Sequence, residues 1–216
     1  MSQPLDTMNP PEEQASQPDG IRRVAVVVAH PDDETLWVGG LLLNHPEWSP
    51  FVVTLCRASD PDRAPKFARA LQHLQARGAM GDLDDGPAQQ PLAARQVRAA
   101  ILDLLPEHDF DLLVTHAPGG EYTWHRRHGE VGRALRVLWL RGQLRARQLW
   151  HFAYEDGGGS YLPRSRPDAP LQVALSDAVW RRKYHLITDV YGFGDATWEA
   201  RVVPLTEAFT RCIGPP

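Results

Sequence analysis

The string Ala29-His30-Pro31-Asp32-Asp33-Glu34 packs a histidine and three carboxylates into five consecutive positions, 30–34. His30 and Asp33 are spaced to reach one cation, and Asp32 between them is left free to handle protons. Two carboxylates and an imidazole held this close repel one another and desolvate at a cost unless an ion sits among them. With no cysteine beside them, histidine and carboxylate ligands suit Zn²⁺ or another divalent transition ion. A catalytic zinc takes three protein ligands and keeps one position for water. The third ligand is expected from a second polar cluster after Thr115, which offers His116, His125 and His128. Of these, His128 stands at the start of a helix, so a rigid element sets its direction.

A site of this kind hydrolyses acyl bonds. Zinc brings the pKa of its water down to about 7. Asp32, a carboxylate not bound to metal, takes the water's proton. The oxyanion draws on the ion and His125, and the leaving amine is protonated by Asp32 or His125. Around the centre, Arg57 and Arg63 lie in a polar loop, and Tyr122, Trp124, Tyr154 and Trp37 suit stacking on a sugar. Arg126 and Arg127 stand between the two histidines of the second cluster, where they are candidates to bind an anionic group on a substrate. His45, His73, His108, His151 and His185 read as structural or surface residues, and Cys56 as a small core residue.

The elements that must position these groups follow from periodicity. A strand is expected over 23–29, its apolar run from Val24 to Ala29 ended by a proline turn, the pattern of a strand buried on both faces of a parallel sheet. In open α/β sheets, sites lie beyond the carboxyl ends of such strands. A helix is expected over 34–44, a strand over 51–56, and a helix from 66 to Gly78. Residues 80–91 read as loop around a short strand near Leu83. A helix follows over 92–105, a strand over 109–115, and a helix carrying Val131, Ala134, Leu135 and Leu138 on one face. A fourth strand is expected over 149–154 and a loop over 157–170 that could serve as a lid. Ser176 is placed to cap a helix running to about Tyr191, and the tail from Gly192 has no assignment. The alternation predicts an α/β, Rossmann-like three-layer fold, a mostly parallel sheet with helices on both faces.

A chain of 216 residues holds one such domain, expected over 21–216 behind a disordered leader at 1–20 rich in Pro, Gln, Ser and Glu. The net charge of -4 argues against nucleic acid as a partner. Two cysteines cannot make a disulfide framework, and neither a signal peptide nor a membrane span is read, so a cytoplasmic location is expected. The oligomeric state is left open, a homo-oligomer included.

At these residues the chain resembles the LmbE/PIG-L-type zinc N-deacetylases, which remove acetyl groups from compounds containing N-acetylglucosamine. The first motif is matched in full at 29–34, after a Val-rich strand. The second is matched by Thr115-His116, Gly120-Glu121-Tyr122 and His125-x-x-His128. The resemblance covers roughly residues 24–138. It implies that His30, Asp33 and His128 bind one Zn²⁺, that Asp32 is the general base, and that His125 stabilises the oxyanion or acts as acid. It also implies a small N-acetylated amino sugar as substrate and a Rossmann-like fold. Where many members carry His-Pro-Asp-His, this chain has Arg126 and Arg127 between the histidines, and Thr123 and Trp124 separate Tyr122 from His125. These departures bear on the substrate pocket, where Arg57, Arg63, His116, Tyr122, Trp124 and Arg127 are the candidate contacts. Other readings are a non-catalytic carbohydrate-binding protein with a relict metal site, and a metal-dependent hydrolase of another bond such as a phosphoester.

Overall fold

The computed structural model describes residues 20–122 and 125–212. The expected leader, apart from Gly20, and Trp124 therefore lie outside the described residues.

A seven-stranded sheet runs through the molecule in the order β3-β2-β1-β4-β5-β9-β8. Strands β1 (Arg23–Val28), β2 (Ser49–Thr54), β3 (Arg77–Met80), β4 (Asp109–Thr115) and β5 (Arg145–Phe152) are mutually parallel. β1 shows why its sequence is so uniformly apolar. Val24, Val26 and Val28 face one core layer, while Ala25 and Val27 face the other. On the first side pack helices α1 (Asp33–Asn44) and α2 (Arg63–His73); on the second pack α3 (Ala94–Leu104) and α4 (Arg126–Leu140). This is the mostly parallel three-layer α/β fold read from the alternation of elements.

The differences from the sequence reading fall at the edges of the sheet and in the last third of the chain. β3 occupies Arg77–Met80, where the reading ended a helix at Gly78. A Cβ at Gly78 would run into the carbonyl oxygen of Val52, so glycine there admits the neighbouring strand rather than stopping a helix. The chain then runs on beside β2's end, with Leu83 N–H donating to Leu55 O at 2.9 Å. α2 starts at Arg63, ahead of Pro65, since a proline is tolerated in the first turn of a helix.

The segment 157–170 is not a bare loop. β6 (Tyr154–Glu155) and β7 (Arg164–Ser165) pair as a small antiparallel ribbon. β8 (Leu171–Ala174) and β9 (Thr206–Arg211) add two antiparallel strands to the sheet's edge. Ser176 caps α5 (Asp177–His185), its Oγ accepting from Val179 N–H, and the helix then widens into a π-helical turn at Leu186–Val190. The unassigned tail contains α6 (Trp198–Arg201) and β9.

A buried ion pair ties this last third to α1. Lys183 Nζ lies 2.6 Å from Glu207 Oε1, and both side chains are fully buried. The same carboxylate accepts from the backbone N–H groups of Gly40 and Leu41, each at 2.7 Å. Tyr154 Oη donates to the carbonyl of Trp37 in the same stretch of helix. The helix that carries Asp33 is thus gripped from outside its own hydrogen-bond ladder. No helix among the described residues is long and apolar enough to cross a membrane.

Candidate metal centre

β1 and β4 are neighbours at the middle of the sheet, yet α1 leaves the first toward one face and α4, after the second, packs on the other. Their carboxyl ends therefore open a crevice, the usual place for a site in this architecture. The two ends are sewn together. Thr115 Oγ1 donates to Val27 O at 2.7 Å, and Ala29 N–H donates to His116 Nε2 at 3.0 Å. A Cβ at Gly132 would collide with the His116 carbonyl oxygen, so glycine lets α4 settle directly on the end of β4.

His30, Asp33 and His128 meet in that crevice. His30 Nδ1 is 3.3 Å from Asp33 Oδ2, His128 Nε2 is 3.3 Å from His30 Nδ1, and His128 Nε2 is 3.5 Å from Asp33 Oδ2. Metal–ligand bonds of about 2.0–2.2 Å in a tetrahedral site put neighbouring ligand atoms roughly 3.3–3.6 Å apart. The triangle has the size and donor set of three zinc ligands.

The far side of each of these three residues is also occupied. His30 Nε2 lies 3.1 Å from Asp85 Oδ1. His128 Nδ1 lies 2.8 Å from Glu121 Oε1, a short contact outside linear hydrogen-bond geometry. The same oxygen is 2.7 Å from His116 Nδ1. Asp33 Oδ1 accepts from Trp37 Nε1 at 3.2 Å, which turns Oδ2 toward the centre. Carboxylates behind metal-facing imidazoles set the tautomer and ring direction.

The charges respond to this crowding. Burial would raise Asp33, but His128 and His116 outweigh it and hold its carboxyl well below the usual range. Burial pulls His30 down, yet Asp33 and Asp85 prevail and bring it up to about 10. His125 is lowered to about 4 by burial and by the facing His128 and His30, so it is neutral at neutral pH. Asp32 is raised well above the usual range by burial and by Asp33, against the pull of Arg63 and His30.

A cleft of about 390 Å³ opens over the triangle. Asp32, Tyr122, His125, Arg57 and Arg63 all line it, as do the three residues of the triangle. Asp32 sits at φ 119°, a left-handed backbone costly for a non-glycine residue. Its own N–H donates to Glu34 Oε2 at 3.0 Å. Arg57 (φ 71°) and Gln89 (φ 44°) also line the cleft, so three of the four described non-glycine residues with positive φ surround it. His125 stacks at 4.3 Å, between ring centroids, on His128, and its Nδ1 has no partner among the described residues.

Four expected contacts stand elsewhere. His116 is fully buried behind Asp33, 3.4 Å from its Oδ2, and does not border the cleft. Trp37 and Tyr154 are core residues, drawn inward by the Asp33 and backbone hydrogen bonds just described. Arg127 is a correction of a different kind. It is 1% exposed and turned from the cleft toward residues 84–90, held there by carbonyls and by Glu130. None of residues 157–170 lines the cleft.

Four cleft residues were missed by sequence reasoning. Asp85 and Gln89 come from a Gly/Pro/Asp-rich stretch with no periodicity. Trp198 and Glu199 come from α6 in the unassigned tail. Trp198 is 38% exposed, its ring 5.6 Å from Tyr122, an aromatic wall that only the folded chain assembles.

No protein-family model matches the chain. A curated relative, the uncharacterized protein L374 of Acanthamoeba polyphaga mimivirus, is 23% identical over 124 residues. The chain spans about half of that relative, 55% of its length, and 51% of this chain is aligned. Among solved structures, the fold is similar to that of N,N'-diacetylchitobiose deacetylase from Pyrococcus horikoshii, solved with an inhibitor (TM-score 0.66, 14% identity, 89% of this chain and 84% of that one). It is also similar to a conserved protein of Thermus thermophilus (TM-score 0.58, 19% identity, 91% and 97%). The A40926 pseudoaglycone deacetylase shares it too (TM-score 0.59, 14% identity, 91% and 100%). The fold is that of these deacetylases.

Proposed function

We propose that this chain is an LmbE/PIG-L-type, zinc-dependent N-deacetylase that releases acetate from a small N-acetylated amino sugar or its glycoconjugate. The observation that carries the reading is the triangle of His30 Nδ1, Asp33 Oδ2 and His128 Nε2, with edges of 3.3, 3.3 and 3.5 Å. The full motif at 29–34 and the shared fold of the deacetylases support it.

These three residues would hold the ion. When bound, a divalent cation supplies Lewis acidity, lowering the pKa of a water to about 7 and drawing electrons from an amide carbonyl. Asp32 then takes the proton from the attacking water, since its carboxylate lines the same cleft. Arg63, 3.0 Å from Asp32 Oδ2, pulls against the larger effects of burial and Asp33, which leave that carboxyl a stronger base than an ordinary aspartate. His125, neutral and stacked on His128, offers a ring N–H to the oxygen on which charge develops. Asp32, once protonated, returns its proton to the leaving amine. Tyr122 and Trp198 form an apolar wall for the sugar ring.

The test is acetate release from N,N'-diacetylchitobiose and simpler N-acetylglucosaminides by chelator-stripped protein before and after zinc is restored. Activity that returns with zinc supports the reading. Zinc-loaded protein that is inert on every N-acetylglucosaminide contradicts the substrate class.

A further inference from the structure

We propose that Arg127 is a positioning residue. With Glu130 it clamps the irregular segment 84–92 so that Asp85 bears on His30, and through His30 it supports the metal centre. The inference rests on the metal site proposed above.

Segment 81–93 leaves β3 without regular structure and contains Gly81, Gly86, Pro87 and Pro91. Its first residues still bond to the end of β2, through Gly81 and Leu83, but beyond Leu83 no ladder fixes it, yet it must deliver Asp85 to within hydrogen-bond reach of a metal-facing imidazole. Arg127 supplies the missing fixation. Its Nε donates to Asp84 O at 2.5 Å, and its Nη2 donates to Gln90 O at 2.8 Å and reaches Asp84 Oδ2 at 3.3 Å. Its Nη1 donates to Glu130 Oε2 at 2.5 Å. Glu130 in turn takes Leu92 N–H on its other oxygen at 3.1 Å. Every arm of the guanidinium is used, and the segment is held at 84, 90 and 92.

Between those holds lie the two residues that enter the cleft. Gln89 Nε2 donates to Asp85 Oδ1 at 2.9 Å, and Arg57 Nη2 donates to Asp85 Oδ2 at 2.8 Å. Asp85 Oδ1 is 3.1 Å from His30 Nε2. With Nε2–H directed at Asp85, Nδ1 is the nitrogen turned toward Asp33 and His128, and it would ligate an ion once its own proton is displaced. One helical turn thus supplies a ligand, His128, and steadies the partner of another, His30. Burying a guanidinium costs several kcal/mol unless it is fully paired, so an apolar residue at 127 would be the cheaper way to fill this space. The planar fork, not the charge alone, matches two carbonyls and two carboxylates at once, which a lysine cannot do.

The experiment measures zinc affinity by competition with a chelating dye for the full chain, Arg127→Lys, Asp85→Asn and the two combined, each first shown folded by its thermal transition. Asp85→Asn is expected to weaken zinc about 10- to 100-fold, the usual effect of losing a carboxylate behind a ligand histidine. Arg127→Lys is expected to weaken it about 10-fold alone and less than about twofold in the Asp85→Asn background, the non-additivity of two residues on one route. Unchanged affinity in Arg127→Lys overturns the inference. So does the same loss with and without Asp85, which is the mark of a merely structural residue. If Arg127→Lys does not fold, Arg127→Met/Glu130→Met removes the clamp without leaving a lone buried charge and carries the same comparison. A wild-type chain that takes up no zinc defeats the metal reading itself. Amide hydrogen exchange over 84–92 in the metal-free protein then still decides the clamp, which fails if Arg127→Lys exchanges no faster there than wild type.

Discussion

Arg63 Nη1 donates to Asp32 Oδ2 at 3.0 Å, and the same guanidinium lies 4.6 Å over the ring of Phe193. The proposed base is therefore held by a cation that the C-terminal third of the chain keeps in place. Asp32→Asn preserves the shape, removes the proton acceptor and leaves the metal-facing triangle intact. It is expected to lower kcat/KM by about 10²- to 10⁴-fold, the usual share of general-base catalysis, with zinc content at one per chain. Turnover at the wild-type rate, checked by acetate release alongside metal analysis, reassigns the base.

Glu34 is the motif carboxylate that does not line the cleft. It is fully buried, and burial raises its pKa against hydrogen bonds from Thr35 and Tyr191. Tyr191 Oη donates to it at 2.6 Å, and its other oxygen takes the N–H of Asp32 at the strained φ of 119°. Glu34→Ala strands all three donors, Thr35 Oγ1, Tyr191 Oη and the Asp32 N–H. It is expected to cost about 1–3 kcal/mol for each group left unpaired, measured by urea unfolding of the zinc-free protein. A loss below about 0.5 kcal/mol, the ordinary effect of a surface substitution, contradicts this account of Glu34.

Trp198 tests the aromatic wall. Its ring borders the cleft and lies 5.6 Å from that of Tyr122. Trp198→Ala is expected to raise KM by roughly 2- to 10-fold, the worth of about 0.5–1.5 kcal/mol of ring contact, with kcat little changed. A fall in kcat at constant KM places Trp198 nearer the reacting atoms than the wall requires.

Asp111 gives a prediction independent of the metal. Burial alone would raise it, but the N–H groups of Arg23 and Arg22, at 2.8 and 2.9 Å, and then Arg147 bring its carboxyl below the usual range. A depressed folded pKa adds stability above the unfolded value of about 3.9, and that stability drains away as pH falls through the folded value. Asp111→Asn is expected to cost about 1–2 kcal/mol at pH 7, with the difference from wild type shrinking steadily below pH ~4. Thermal transitions at both pH values check it, and an equal cost at each rules out the charge as the cause.

The legible parts of this protein are those whose reasons are local. β1 and β4 announce themselves because strands buried on both faces need unbroken apolar runs, and the motif at 29–34 follows directly from the end of one. β3, β8 and β9 are less visible because they are short edge or near-edge strands whose pairing depends on a distant partner. Gly78 reads as a stop in one dimension and as a close strand contact in three. Lys183 and Glu207 are 24 positions apart and meet only after β9 has joined the sheet. Asp85 carries no signal of its own, because an Asp in a Gly/Pro-rich stretch is ordinary until Arg127 holds it against His30. Arg127 itself was misplaced toward the substrate for the same reason: a charged residue beside a site reads as exposed until its partners are known.

The most direct measurement is anomalous diffraction at the zinc edge from crystals grown with the metal. The account predicts a single strong peak within about 2.0–2.2 Å of His30 Nδ1, Asp33 Oδ2 and His128 Nε2, the bond lengths of a four-coordinate site. A peak seated instead between Cys56 and Asp85, or no peak at saturating zinc, contradicts it.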